Sequence, residues 1–277
     1  MPTKTGVVSE APERRKTMKL SVPFSIFRPE RRQAFFSFMV NRICPILYPR
    51  HCPVCQRTLP YGRIVCEKCL LLLPRVREPV CFCCGKPVLS EAQELCYDCR
   101  TFPKSFQRGL ALFLYNEITR PFMADFKYHN RRFLAYFFSD EIIKTHHSLL
   151  LSWHIQAVIP VPVHKNKRKK RGYNQAALLG RELAVRLHLP CYPKLLLRIV
   201  DTLPQKQLNP RLRLKNIQNA FCINPSLQPL VNHLQTVLLV DDIYTTGSTL
   251  EACTRVLHEA GVRNVYVCSV CIGVARD

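Results

Sequence analysis

The sequence predicts an α/β fold, a parallel sheet flanked by helices and preceded by a small cysteine-rich module, and three observations predict it. Apolar runs with β-branched ends alternate with helical periodicities through the last two thirds of the chain, the pattern of strands covered on both faces by helices. Eight of the 15 cysteines fall into four Cys-x2-Cys pairs between residues 52 and 99. Finally, Val237-Leu238-Leu239-Val240 runs into Asp241-Asp242 and then into Thr245-Thr246-Gly247-Ser248-Thr249. That is a buried strand with two carboxylates at its carboxyl end, where open α/β sheets bind ligands, and a hydroxyl-rich turn beside a helix N-terminus.

Residues 1–48 read as a basic extension. Arg14-Arg15-Lys16 and the Arg28 to Arg32 cluster precede Phe35, Phe36, Phe38, Met39, Ile43, Ile46 and Leu47. The first half is predicted to be disordered. The second has the pattern of an amphipathic helix that packs on the cysteine module or touches a membrane. Met18 is a second candidate start. With 41 Lys and Arg against 19 Asp and Glu, the net charge of +22 favours polyanionic partners: nucleic acid, nucleotide pyrophosphates or the inner face of a membrane. No apolar run is long enough to span a bilayer and no signal-peptide pattern opens the chain, so a cytoplasmic location is expected.

Residues 49–102 carry the pairs Cys52/Cys55, Cys66/Cys69, Cys81/Cys84 and Cys96/Cys99, separated by 10, 11 and 11 residues. Neighbouring pairs make a tetrahedral thiolate site, so the segment is predicted to hold up to two zinc ions. Two closed sites of four thiolates leave no open position, so the zinc is expected to be structural, and it supplies stability that few core aliphatics could give. A dithiol redox pair is the alternative. Gly85 falls where a knuckle benefits from positive φ, and Pro60-Tyr61-Gly62 and Leu89-Ser90-Glu91 fall where each ribbon turns back. Cys83 breaks the spacing. Cys268 and Cys271 share it but sit in an apparent strand, and Cys44, Cys191, Cys222 and Cys253 are isolated.

Residues 105–277 supply the sheet. Strands are predicted at Gly109–Tyr115, Ala157–Val163, near Ala220–Ile223, at Val237–Val240 and at Val262–Cys271; helices at Ile118–Tyr128, Arg132–Lys144, Asn174–Leu187 and from about Ser248 to a stop at Gly261. The second strand opens into His164 and then Lys165 to Arg171, where six of seven residues are cationic. A solvated basic loop with helix entry is the bland reading of that run. Its place at the same sheet edge as Asp241 makes His164, Lys165, Lys167, Arg168, Lys169, Lys170 and Arg171 candidates for pyrophosphate or nucleic-acid contact. The polar, cationic stretch from Asp201 to Asn216 reads as a loop that closes over an anion or stays on the surface.

The Asp241 to Thr249 stretch resembles the phosphoribosyl-pyrophosphate (PRPP) motif of type I phosphoribosyltransferases, in which the acid pair holds the ribose diol and the turn holds the 5′-phosphate. The resemblance implies a type I phosphoribosyltransferase-like parallel sheet behind a double zinc ribbon, with Asp241, Asp242, Thr245, Thr246, Gly247, Ser248 and Thr249 binding PRPP or a nucleotide. A plain strand-to-helix turn with acids at its edge is the alternative. Over residues 50–275 the order of motifs resembles the ComF family: double cysteine ribbon, Ile-Pro-Val-Pro-x-His ending at His164, Arg-Gly-Tyr-Asn-Gln-Ala at 171–176, a Thr-x-Pro-Gln loop, Arg-x-x-Asn-x-x-x-Ala-Phe, then the PRPP motif. Lys127-Tyr128 fits a further family element. The extension before Arg50 and the neighbours Leu203 and Lys206 depart from the pattern.

That resemblance implies a role in natural transformation, in the uptake and handling of single-stranded DNA at the inner membrane face, with a competence helicase and a recombination-mediator protein as partners. Two other functions remain open: an active phosphoribosyltransferase of nucleotide salvage or biosynthesis, and a PRPP-sensing regulator. An enzyme of this class would displace pyrophosphate from carbon 1 with Mg2+ neutralising the leaving group. The sequence shows no obvious general base.

Overall fold

The computed structural model describes residues 50–60, 62–200 and 219–274. The extension over residues 1–48, Tyr61 and the stretch from Asp201 to Asn216 lie outside the described residues. Those described belong to one compact unit that begins at Arg50.

The two ribbons repeat one design. The first Cys-x2-Cys knuckle of each ribbon is flanked by an antiparallel bridge, His51 to Thr58 and Val80 to Pro87. Each second pair opens a short helix, α1 (Glu67–Leu72) after Cys66 and α2 (Tyr97–Thr101) after Cys96. The residue after each knuckle is left-handed, Gln56 at φ 58° and Gly85 at φ 76°. Only at Gly85 does packing also demand glycine, because a Cβ there would lie 2.7 Å from the carbonyl oxygen of Gly109.

The chain then runs through β1 (Arg108–Tyr115), α3 (Thr119–Tyr128), α4 (Leu134–Ser152), β2 (Ala157–Pro160), α5 (Lys165–Arg171) and α6 (Gln175–Leu187). It continues through β3 (Leu196–Arg198), β4 (Phe221–Ile223), α7 (Gln228–Val231), β5 (Thr236–Tyr244), α8 (Ser248–Glu259) and β6 (Asn264–Gly273). The main sheet has the order β1-β6-β5-β2 and is parallel throughout. Its faces follow the two-residue period of a pleat. Leu110, Leu112, Leu238, Val240 and Val270 pack with α3, α4, α6 and the first ribbon. Ala111, Ile159, Val237, Leu239 and Val267 pack with α8 and the second ribbon.

The ribbons therefore lie on opposite faces of the sheet, and the chain between them crosses the outer edge of β1. There Val76 N–H donates to Leu112 O at 3.1 Å and Leu114 N–H to Pro74 O at 2.8 Å. The crossing covers an edge that would otherwise expose unpaired backbone groups. Beneath α3 and α4, Phe122, Phe126, Phe137 and Phe138 form tilted or edge-on pairs with centroids 5.0 to 5.7 Å apart, each adding about 0.5–1.5 kcal/mol beyond simple burial.

Several expectations are corrected. The site strand runs on to Tyr244, so Asp241 and Asp242 lie within it rather than beyond it. β2 stops at Pro160, and Val161 N–H makes one more bond, to Val240 O at 2.8 Å, before Pro162, which has no N–H, ends the ladder. α4 continues to Ser152 past a non-helical residue at His146. Phe221–Ile223 is no part of the main sheet; it pairs antiparallel with Leu196–Arg198, a strand the sequence reading missed. Cys268 and Cys271 are both buried core thiols. Among the described residues no helix is long and apolar enough to cross a membrane.

Gly85→Ala should lower stability by about 2 kcal/mol, from left-handed strain plus the overlap with Gly109. The shift in denaturant midpoint measures it.

Candidate functional site

The two carboxylates stand at the carboxyl edge of the sheet, on successive residues of β5, so the pleat turns them to opposite faces. Asp242 Oδ1 lies 3.1 Å from Lys127 Nζ, in the last turn of α3, with side-chain exposures of 14 % and 18 %. Burial works against the Lys127 charge, but Asp242 and then Asp241 outweigh it and hold the ammonium above its ordinary value. Burial first, and then the charge of Asp242, push Asp241 up to about 7. The Asp242 N–H, donating to Asp241 Oδ1 at 2.8 Å, only partly offsets this.

After Tyr244 the chain turns through Thr245 and Thr246 to Gly247, which caps α8 at φ 74°. Thr246 Oγ1 and Ser248 Oγ lie 2.8 Å apart. The free amides at the start of this 12-residue helix favour an anion. Between the turn and the acids opens a cavity of about 190 Å³ whose charged lining is Lys127, Lys167, Arg171, Arg198, Asp241 and Asp242, with Thr245 and Thr249 on its rim. Four cations against two acids leave its lining net positive, which favours an anion.

The cationic run is a helix rather than the loop expected. His164 caps its start, with Nδ1 accepting the Asn166 N–H at 3.3 Å, and left-handed Gly172 closes its end with N–H to Arg168 O at 2.8 Å. Helical spacing divides the run. Lys167 and Arg171, four residues apart, line the cavity, while Lys165, Arg168, Lys169 and Lys170 are exposed. His164 is 5 % exposed as a cap and does not line that cavity.

Each residue of the Arg-Gly-Tyr-Asn-Gln-Ala element has a visible task. Arg171 donates to Gln175 Oε1 at 3.2 Å, Gln175 Nε2 donates to Lys127 O at 3.1 Å, and the Tyr173 hydroxyl donates to Phe126 O. Asn174 caps α6 by accepting from Ala176 N–H and donates to Val161 O at 2.9 Å. The element thus ties α5 and α6 to β2 and to the helix bearing Lys127. Lys127 and Gln175 appeared in the sequence only as parts of motifs, and Arg198 gave no signal at all.

The cysteines form two groups, Cys52/Cys55/Cys66/Cys69 and Cys81/Cys84/Cys96/Cys99, with sulfurs within 4.8 Å of one another in each. A zinc tetrahedron with bonds of about 2.3 Å has sulfur–sulfur edges of about 3.8 Å. Cys55 and Cys66 are 3.8 Å apart and Cys84 and Cys96 3.6 Å, so the residues fit the metal. The described cysteines are all free thiols. Their surroundings differ: Cys55 is exposed, whereas all four cysteines of the second group are buried. Hydrogen bonds from Cys84, Cys96 and Cys99 hold Cys81 well below the ordinary thiol range.

This fold and these centres define a phosphoribosyltransferase-like domain joined to a double zinc ribbon. A family model for a double zinc ribbon domain matches residues 43–100, and one for a phosphoribosyl transferase domain matches residues 223–276. Competence protein F of Haemophilus influenzae is 32 % identical over 195 residues, 68 % of this chain and 82 % of that protein. Competence protein ComFC of Bacillus subtilis is 26 % identical over 203 residues, 71 % of this chain and 79 % of the relative. DNA utilization protein YhgH of Escherichia coli K12 is 27 % identical over 228 residues, 80 % and 97 % of the two chains. The chain belongs to the competence protein F family.

Freshly purified, reduced protein should contain about two zinc ions per chain by elemental analysis. Cys66→Ser with Cys69→Ser should remove one and loosen the first ribbon first. Cys96→Ser with Cys99→Ser should lower the melting temperature of the whole unit further, because all four cysteines of that group are buried, whereas Cys55 of the first is exposed.

Proposed function

We propose that this protein handles incoming single-stranded DNA in natural transformation, with PRPP or a related nucleotide bound at the carboxyl edge of the sheet. The observation that carries this reading is the division of α5. One helix offers Lys167 and Arg171 to the cavity and Lys165, Arg168, Lys169 and Lys170 to solvent. A phosphoribosyl ligand and a nucleic-acid backbone therefore have separate cations on the same element. The names of relatives from H. influenzae, B. subtilis and E. coli, two of competence and one of DNA utilization, support it. So does the surface: the Arg186 guanidinium lies 4.4 Å from the centroid of Tyr136. That ring is exposed, the pairing of cation and aromatic on which unpaired bases stack.

In this reading Asp241 and Asp242 accept the ribose hydroxyls. The turn from Thr245 to Thr249 and the α8 amides hold the 5′-phosphate, and Lys127, Lys167, Arg171 and Arg198 face the pyrophosphate. The acid pair also offers the hard oxygen ligands that Mg2+ requires. The ion, when bound, neutralises pyrophosphate charge. A competence helicase and a recombination-mediator protein are the proposed partners, at the inner face of the cytoplasmic membrane. The cations around the cavity also suit a working phosphoribosyltransferase, which pyrophosphate release in the presence of a base would reveal.

Two outcomes test this. Asp241 accepts hydroxyls most strongly when ionised, and its value of about 7 lies above that of an unfolded carboxylate, about 4. The free fold therefore loses stability as pH rises from about 4 to about 7, and ligand affinity rises over the same window. Calorimetry of PRPP binding near pH 7, in buffers of different ionisation enthalpy, should show net proton release. Asp241→Asn with Asp242→Asn should abolish both binding and release while leaving the fold intact.

The second outcome concerns the outward cations. Changing Lys165, Arg168, Lys169 and Lys170 to Ala should flatten the slope of log affinity for single-stranded DNA against log salt by roughly two to three units, at about 0.7 per phosphate. PRPP affinity should stay unchanged. An unaltered salt slope would remove the main physical support for DNA handling.

A further inference from the structure

A second cavity lies at the other border of the sheet. It measures about 240 Å³ and opens against the first residues of β1, Arg108 to Ala111, whereas the acid pair stands near the carboxyl end of β5. The two cavities share no residue. The chain between the ribbons creates this one. It bonds to the β1 edge at Leu114 and Leu112, and past Val76 no further backbone bond joins it to β1 among the described residues. Val76, Arg77, Glu78 and Val80 form one wall, and α4 forms another where its helical run breaks at His146. Such a volume holds about eight waters, so its occupant is small.

The lining combines apolar side chains, Val76, Val80, Leu110 and Leu149, with two guanidiniums, Arg77 and Arg108. Arg75 is paired with Glu141, but among the described residues no carboxylate pairs with Arg77 or Arg108. The Arg108 guanidinium lies over the Phe82 ring, 5.3 Å from its centroid, a contact that braces the group and leaves its N–H edges for an acceptor. Glu78, the one acid of the lining, already accepts the Val80 N–H at 3.0 Å. Thr145 Oγ1 accepts from Arg75 at 3.2 Å and keeps its own proton to donate.

Burial pushes His146 below its ordinary value, and the Ala111 backbone offsets this only in part, so the ring adds no charge near pH 7. Its Nε2 is buried without a hydrogen-bond partner, which leaves polar capacity unused beside the cavity. Two guanidiniums against one carboxylate leave one positive charge uncancelled. A monoanion cancels it. A phosphate dianion exceeds it and offers nothing to the apolar walls.

We propose that this cavity binds a small organic monocarboxylate with an apolar body, the carboxylate held by Arg77 and Arg108 and the body by Val76, Val80, Leu110 and Leu149. A planar guanidinium fork matches a carboxylate edge to edge. Once bound, the acid bridges the crossing chain, β1 and α4, and tightens the joint between ribbons and sheet. The inference does not rest on the phosphoribosyl reading above.

The test uses the full zinc-loaded chain and hexanoate as the probe, with hexanamide as its neutral match and acetate as the anion without a body. Calorimetry should show hexanoate binding with a Kd of about a millimolar, and hexanamide and acetate each about tenfold weaker or more. Amide hydrogen exchange should show hexanoate protecting residues 76–80 and 145–149, with residues 245–249 unchanged. Arg77 is exposed, so Arg77→Met removes its charge without disturbing the fold and should weaken hexanoate about tenfold. Arg108→Met should weaken it at least as much. Hexanamide binding as tightly as hexanoate overturns the carboxylate assignment, and acetate doing so overturns the apolar body. Protection confined to other residues, or neither heat nor protection at about ten times the expected Kd, overturns the site. Unchanged affinity in both arginine variants overturns the roles given to them.

Discussion

The parallel pairing of β5 with β2 on one side and β6 on the other is the constraint on which the rest of the structure depends. Parallel strands end at one edge, so whatever follows each strand must begin there. The register sets Pro160 opposite Val240 and Asp241 opposite Ser269, which brings the start of α5 level with the acid pair. Lys127 arrives at that edge on the helix that follows β1. A slip of one residue in β5 would exchange the faces of Asp241 and Asp242, separating Asp242 from Lys127.

Two carboxylates side by side in a partly buried site repel, and the structure answers with different means on each face. Asp242 has a direct partner in Lys127. Asp241 has only weaker help, from the Asp242 N–H, Lys127 and Arg198, and its affinity for a proton rises. Such a pair is poised to exchange a proton for a hydroxyl or a cation near neutral pH. Around it, Gln175 and Tyr173 fix the backbone that carries Lys127, so the site's charge is held by neutral hydrogen bonds.

Much of this was legible in the sequence, wherever chemistry and spacing are local. The Asp241 to Thr249 run and the cysteine pairs are contiguous patterns: the run forms the end of a strand, a turn and a helix start, with the acids inside the strand rather than beyond it, and the pairs gather into two groups of four. The resemblance carried further, naming the motifs around Tyr173 and Lys127 without saying what they do. Where the reading failed, the deciding contact was distant or short. Six cations in seven residues repel one another along a helix, so α5 read as a loop; a cap at His164 and a left-handed Gly172, together with the sorting of cations between cavity and solvent, make it a helix. β3 has three residues, too few for any periodicity to show. Arg198 reaches the cavity only because β3 pairs with β4.

The crossing of the chain over the β1 edge has a consequence for how the molecule can be divided. The change in composition near residue 102 invites a cut there, yet the packing runs across it. Without the preceding residues, β1 would offer Leu112 O and Leu114 N–H to water, and the Ala111 face of the sheet would lose the second ribbon. A fragment beginning at residue 105 is therefore a sheet with an adhesive border, prone to pair with its own copies. The ribbons serve as a clasp as well as a module, and inheritance or engineering must move them together with the sheet they close.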